Sequence, residues 1–336
     1  MSAAPAISVL LPVRDAGAWL PHCLASLARQ SETDFECVIA DDGSADASPA
    51  QARAAAQRDS RFRALALPRR GLVPALLAGL AACRGRYIAR MDADDLAHRE
   101  RFALQRRALE ADPELAGVGC HVRVFPRAAL APGLRAYERW LHGVRGAADV
   151  AREAFVECPL AHPTFFLRAE VLRRFAYRDA GWPEDYDLLL RLLEAGQSLG
   201  VVPRRLLAWR HHAGRHSRRD PAYADLRFSA CKAEYLARGF LRASPRYLLW
   251  GFGGTGRALA RELRARGRHP DAIVELHPRR LGQTIHGARV IPPEALPRAP
   301  RLPLVASVAG LEARSRIRAQ LAALGWREGR DFVCAA

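Results

Sequence analysis

Lysine is almost absent from this sequence. Lys232 is the only one among 52 basic Lys and Arg residues in a chain of 336, so arginine carries the formal net charge of +17. That bias follows the base composition of coding DNA more readily than selection for a phosphate-binding surface. Aromatic residues interleaved with the arginines, which would stack on bases, are also missing, and this argues against nucleic-acid binding. A basic surface can still steer an anionic substrate inward or rest against anionic lipid. Paired cysteine motifs are missing too. Cys23, Cys37, Cys83, Cys120, Cys158, Cys231 and Cys334 form no C-x-x-C pair and no zinc spacing, as expected for reduced, packed thiols of a cytoplasmic protein. The first twenty residues hold no basic stretch followed by an apolar one, and no apolar run approaches the roughly 18 residues that span a bilayer. The sequence therefore predicts a cytoplasmic protein, soluble or peripheral at the inner face of the membrane.

Half of the residues are apolar, enough for a substantial core, and at roughly 100 to 200 residues per domain the length predicts two domains. Short β-like runs alternate with helical patterns, which predicts an α/β fold with a mainly parallel sheet. Strands are expected at 7–13, 35–40, 62–67, 87–91 and 118–125, with helices at 18–29, 48–57, 71–82 and 100–110. Regularity weakens over 126–157. A helix opens at Pro183 and Glu184, another covers 221–240, and a fresh strand begins at Arg246. These patterns predict one domain over 1–242 and a second over 243–336.

Two acidic clusters stand at predicted strand ends, where ligands gather in such sheets. One is Asp41 and Asp42; the other is Asp92, Asp94 and Asp95. Crowded carboxylates repel one another unless a positive group sits among them. Mg²⁺ or Mn²⁺, held by one or two carboxylates plus substrate phosphates, meets that need. In Asp92-Ala93-Asp94 the alternate residues share one side of an extended segment. Helix capping by Asp94 or Asp95 is the plainer alternative, as is an Asx turn for Asp41, Asp42 and Ser44.

The stretch "ISVLLPVRDAGAWLPHCLASLARQSETDFECVIADDGSADAS" (7–48), followed in order by "GRYIARMDADD", "HPTFFLR", "EDYDLLLRL" and "WRHHAGRHS", resembles the family 2 glycosyltransferases over roughly residues 5–220. The resemblance implies a GT-A fold and transfer of a sugar from a nucleotide donor to a glycan or lipid-linked acceptor, as in surface polysaccharide synthesis. It assigns Asp42 to the nucleobase with Asp41 in support. Asp94 is assigned to the metal, and Asp92 to the ribose or metal shell. The resemblance places His212 near the diphosphate, as a further metal ligand, and Arg210 is expected to bind the donor. Asp185 becomes the base beside Glu184, and His162 stands near the acceptor or shapes a turn. His216 reads as solvated surface. Two departures stand out. Asp15 replaces the usual asparagine, and Leu76 and Leu77 replace an arginine and an asparagine, so that Arg70, Arg90 or Arg210 would have to supply the cation for the diphosphate.

Beyond the expected break, "RYLLWGFGGTGRALARELRARGRHPDAIVELHP" (246–278) reads as strand, glycine-rich turn, helix and strand. Gly251, Gly253 (or Gly254) and Gly256 fit the dinucleotide-fold fingerprint, and Glu275 falls where a ribose-binding acid would sit. This predicts a small Rossmann-like domain for a nucleotide or dinucleotide, with a regulatory or assembly role. Two rival functions are a nucleotidyltransferase, for which "PVRDAGAWL" is a poor phosphate loop, and a non-catalytic nucleotide sensor working through the second domain.

Overall fold

The computed structural model describes residues 4–215 and 220–336, and His216 lies outside the described residues. The chain divides into two compact units. The first comprises Met1–Ala151, Pro159–Asp179 and Arg191–Arg215; the second comprises Arg152–Cys158, Ala180–Leu190 and His216–Ala336.

The first unit is built on β1 (Ile7–Val13), β2 (Phe35–Asp42), β3 (Phe62–Leu67), β4 (Tyr87–Arg90), β5 (Leu96–Ala97), β6 (Leu115–Phe125), β7 (Phe166–Arg168) and β8 (Ser198–Arg210). They form one sheet in the order β3-β2-β1-β4-β7-β6-β8-β5. Pairing is parallel for β3, β2, β1 and β4 and for β6 with β8, whereas β7 runs antiparallel to both β4 and β6, and β5 to β8. The sheet is thus mixed.

β1 and β2 are buried along their whole length, as strands covered on both faces must be, with Ser8 and Glu36 as buried polar residues ahead of the acids that end β2. Pro12 is tolerated in this central strand because of where it stands. Leu10 O accepts from Met91 N–H, so alternation turns Pro12 to the same side, beyond the last β1–β4 pair at Leu10 and Arg90. No ladder bond is lost there. The helix Leu72–Ala82 lies close against the sheet, since a Cβ on Gly79 would stand 2.5 Å from Leu10 Cδ1. Leu10, Ile39 and Leu76 are fully buried, each worth roughly 1.5–3 kcal/mol. The parallel order brings the carboxyl ends of β1, β2 and β4 to one edge, and with them both acidic clusters.

Several elements have no counterpart in the sequence expectation, among them β5 and β7. The region of weak regularity holds the helices Pro132–Gly143 and Ala147–Glu153, and β8 is a strand of 13 residues.

The second unit holds β9 (Arg246–Trp250), β10 (His269–Val274), β11 (Thr284–Ile285), β12 (Ala288–Ile291), β13 (Leu304–Ala306) and β14 (Phe332–Cys334), in the order β11-β12-β10-β9-β13-β14. All pairs are parallel except β11 with β12. Leu249, Ile273 and Val305 pack with Leu259 and Leu263 of the helix Gly254–Arg264 and with Leu236 of the helix Asp225–Arg238. The fresh strand expected at Arg246 is β9. All seven cysteines are buried thiols. No helix among the described residues is long and apolar enough to cross a membrane.

Candidate functional site

β4 ends at Arg90, and the turn that follows gathers three carboxylates. One side-chain oxygen from each of Asp92, Asp94 and Asp95 lies within 4.8 Å of the others. Each is held differently. Asp92 pairs with Arg90 and lies 3.5 Å from Arg215 Nη2. Burial pushes its carboxyl up, but the Arg90 and Arg215 guanidiniums outweigh that and hold it below the usual range. Asp94 Oδ2 stands 2.8 Å from His212 Nε2. Asp95 is wholly buried, with Oδ1 accepting from Arg210 N–H at 2.7 Å and Oδ2 unpartnered. Burial first, then the charges of Asp92 and Asp94, push its carboxyl well above the ordinary value. Neither Asp94 nor Asp95 caps the next helix, which starts at Arg101 behind Glu100.

Arg210 is held in place around this turn. Its Nε donates to Asp94 O at 2.7 Å, and its guanidinium carbon lies 4.3 Å from the Trp19 ring centroid and 4.5 Å from that of Phe125. Trp19 also packs on His212, with ring centroids 5.7 Å apart. Arg215 lies over Trp209 at 4.5 Å. The end of β8 and the residues just beyond it thus deliver two guanidiniums and one imidazole to the acidic turn.

On the same sheet edge, Asp41 and Asp42 end β2. Asp41 Oδ1 accepts from the Ser44 hydroxyl and, at 3.4 Å, from Ser44 N–H. Asp42, 3% exposed, accepts from Arg70 N–H at 2.7 Å and from Gly71 N–H, with Arg14 Nη1 3.6 Å away. Asp15 adopts φ 48°, a left-handed conformation that aspartate tolerates, and accepts from Ala45 N–H. Leu76 is fully buried and Leu77 is 40% exposed, so the residue at the usual arginine position is spent on the core. Arg70 is exposed and Arg90 is buried. His162, also buried, has Nε2 2.9 Å from Tyr177 OH and its ring edge-on to Phe165.

The other expected catalytic pair belongs to the second unit. Glu184 and Asp185 open the helix Glu184–Glu194. Both Glu184 oxygens accept from Tyr223 OH, at 2.7 and 2.8 Å, and Asp185 Oδ1 accepts from Tyr186 N–H. One turn further on, Asp187 is fully buried and accepts from Trp182 Nε1 and Tyr235 OH. Gly256 lies in the first turn of the helix Gly254–Arg264, and Gly251 and Gly253 lie on the turn after β9. Glu275 braces that turn: Oε1 accepts from Leu276 and His277 N–H, and Oε2 from Phe252 N–H and Arg280.

Sequence reasoning missed Arg215, Trp19, Asp187 and Tyr223. A helical spacing of three from Glu184 was the available signal for Asp187. None pointed to Trp19, whose partner Arg210 lies almost two hundred positions away.

Residues 8–175, half of the chain, match the family described as glycosyl transferase family 2. The chain belongs to that family, and its first sheet has the GT-A fold. The amylovoran biosynthesis glycosyltransferase AmsE of Erwinia amylovora is 30% identical over 189 residues, covering 55% of this chain and 67% of that protein. S. aureus TarS, solved in complex with UDP-GlcNAc, matches with a TM-score of 0.56 at 14% identity, over 76% of this chain and 71% of that one. The mannosyltransferase PcManGT from Pyrobaculum calidifontis, solved with GDP-Man and Mn²⁺, matches with a TM-score of 0.53 at 18% identity, over 79% and 70%. The chain spans 26%, 33% and 16% of the length of the first three curated relatives it matches.

Proposed function

We propose that this protein transfers a sugar from a nucleoside-diphosphate sugar to a glycan or lipid-linked acceptor in surface polysaccharide synthesis, with inversion and with a divalent cation. The observation that carries the reading is the acidic turn after β4, where three carboxylates converge and the buried Asp95 Oδ2 has no partner. Converging carboxylate oxygens suit Mn²⁺ or Mg²⁺. The relatives support it as well: AmsE is named for amylovoran biosynthesis, and PcManGT was solved with GDP-Man and Mn²⁺.

Asp94 and His212 would hold the cation, with Asp92 in its outer shell. Bound there, it would stabilise the charge that develops on the leaving diphosphate. Arg210 and Arg215 add fixed positive charge beside the same phosphates, taking the place of the arginine absent at Leu76. Asp42, supported by Asp41, orients the nucleobase, and His162 lies toward the acceptor. Asp185, at the amino end of its helix, takes the proton of the attacking hydroxyl. Glu184, fixed by Tyr223, shapes the backbone around it. A single displacement of this kind inverts the anomeric centre. Residues 243–336 are an accessory domain. The net charge of +17 suits peripheral attachment to an anionic inner membrane face.

The test is Asp185→Asn. Turnover should fall about 10²- to 10⁴-fold, with Mn²⁺-dependent donor binding retained in a thermal-shift assay. If Asp185→Asn leaves every measurable activity intact, the protein is instead a nucleotide sensor.

A further inference from the structure

The second unit contains a crevice that the transferase reading does not use. Its strand order runs β12-β10-β9-β13-β14, all parallel, so the chain winds outward from β9 in one direction and then, from β13, in the other. The gap between the carboxyl ends of β9 and β13 is therefore the point where open α/β sheets take ligands. Two segments meet there, the turn Gly251–Gly256 and the residues that follow β13.

Their glycines divide into two kinds. Gly251, at φ 94°, and Gly256 are required by packing: a Cβ on Gly251 would stand 2.4 Å from Val308 Cγ2, and one on Gly256 would stand 2.1 Å from Gly251 O. Gly253 and Gly254 meet nothing within 4 Å. The fold does not need them bare, and their bareness leaves open space over the amino end of the helix Gly254–Arg264. That end has no side-chain cap and no acid in its first turn, so its N–H groups and the positive end of its dipole face that space uncompensated.

An independent observation comes from the other strand. Ser307 is 3% exposed, and its Oγ is buried without a hydrogen-bond partner, a cost that buried hydroxyls rarely bear. Val305 packs with Leu259 and Leu263 of the same helix. Side chains two apart on a strand share a face, and Ser307 N–H still bonds Trp250 O at 2.8 Å. Its Oγ is therefore turned to the side of that helix, level with its amino end; Ser307 O would lie 3.7 Å from a Cβ on Gly256. Arg280 adds positive charge at the mouth, donating to Phe252 O at 2.9 Å.

We propose that this crevice is a second nucleotide site, which takes a ligand's diphosphate on the bare turn Gly253–Gly254 and the helix end, with Ser307 Oγ donating to a phosphate oxygen. Nucleoside diphosphates and dinucleotides share that chemistry. Glu275, already filled by three backbone N–H groups and Arg280, steadies the turn and offers a ribose no vacant oxygen.

The test is isothermal titration of the full-length Asp94→Ala protein in EDTA with UDP, GDP and NAD⁺, with uridine, guanosine and adenosine as phosphate-free controls. At least one diphosphate probe should bind and its nucleoside should not. Binding by NAD⁺ identifies a dinucleotide site, and binding by UDP or GDP a nucleoside-diphosphate site. Adding Gly254→Val, which fills the bare turn where a Cβ clashes with nothing, should weaken binding roughly tenfold or more without lowering the melting temperature. Adding Ser307→Ala instead should weaken it by about tenfold, and it decides the matter if the valine variant melts early. No binding by any probe, or affinities within about twofold in both variants, overturns the proposal. This binding needs no Mn²⁺, whereas the transferase reading stands or falls on Mn²⁺-dependent binding lost in Asp94→Ala, so either can fail alone.

Discussion

His212 Nε2 lies 2.8 Å from Asp94 Oδ2 and ties the segment after β8 to the turn after β4. A histidine in that position either shares a cation with the carboxylate or merely pairs with it. The two roles separate on titration. His212→Ala should lower the apparent Mn²⁺ affinity about 10- to 100-fold, read as the Mn²⁺ midpoint of nucleotide-induced thermal stabilisation. A lower melting temperature with an unchanged Mn²⁺ midpoint would make His212 a structural partner only.

Trp19 packs against two of the side chains around that turn, with Arg210 over its face at 4.3 Å and the His212 ring against it. The Arg210 cation–π contact is worth about 0.5–2 kcal/mol. Trp19→Leu keeps an apolar side chain but removes the π face. It should raise the dissociation constant for the nucleotide by roughly tenfold while changing the unfolding midpoint little, measured by titration and by urea denaturation on the same sample. Equal losses in both would place Trp19 in the fold alone.

The acidic turn and the strand ends that carry it could be read from the sequence because β1, β2 and β4 are short, mostly apolar runs, and acids end β2 and follow β4 within two residues. The helix Pro132–Gly143 could not. On its inner side stands Glu138, 6% exposed, accepting from Val124 N–H and Arg127 Nη1. A charge there interrupts the apolar period on which helix prediction rests. β8 was hidden for a related reason. Pro203, Arg204 and Arg205 sit mid-strand where the pairing with β6 shifts register, so neither alternation nor an unbroken apolar run survives. Buried orphans such as Asp95 Oδ2 and Ser307 Oγ leave no trace in sequence, because burial at a strand end depends on distant neighbours.

The single lysine has a role that an arginine would fill poorly. Lys232 is 6% exposed, and its Nζ donates to Val156 O at 2.7 Å and to Ala335 O at 3.3 Å. Burial lowers its pKa, opposed by the neighbouring Glu157 charge. A compact ammonium donates to both carbonyls, whereas a larger planar guanidinium would spread its donors over a wider fork. Lys232→Met should keep the volume but leave both carbonyls without this donor, costing about 1–3 kcal/mol. Lys232→Arg should cost at least as much through overpacking, about 1–3 kcal/mol. Denaturant unfolding of both variants checks this, and a neutral arginine variant would refute the steric argument.

Glu36 sets a pH dependence at the opposite end of the first sheet. It is 3% exposed at the start of β2, and its carboxylate accepts from Ser8 Oγ and Arg84 N–H, each at 2.7 Å, and from the Arg84 and Arg63 guanidiniums. Burial pushes its pKa up, but these hydrogen bonds outweigh burial and hold it below the ordinary glutamate value. A folded-state pKa depressed below the unfolded one of about 4.3 gives stability that is full above that pH and is lost as pH falls through the folded value. Glu36→Gln keeps the shape and removes the charge. At neutral pH it should lower stability by about 1–3 kcal/mol, and the gap to the wild type should close from about pH 4.3 downward. Urea midpoints taken from about pH 7 to about pH 3 measure that gap, because every other carboxylate titrates alike in the two proteins. A gap that stays constant to the lowest pH would mean that Glu36 stabilises the sheet by shape and neutral hydrogen bonds, and its ionisation would then contribute nothing.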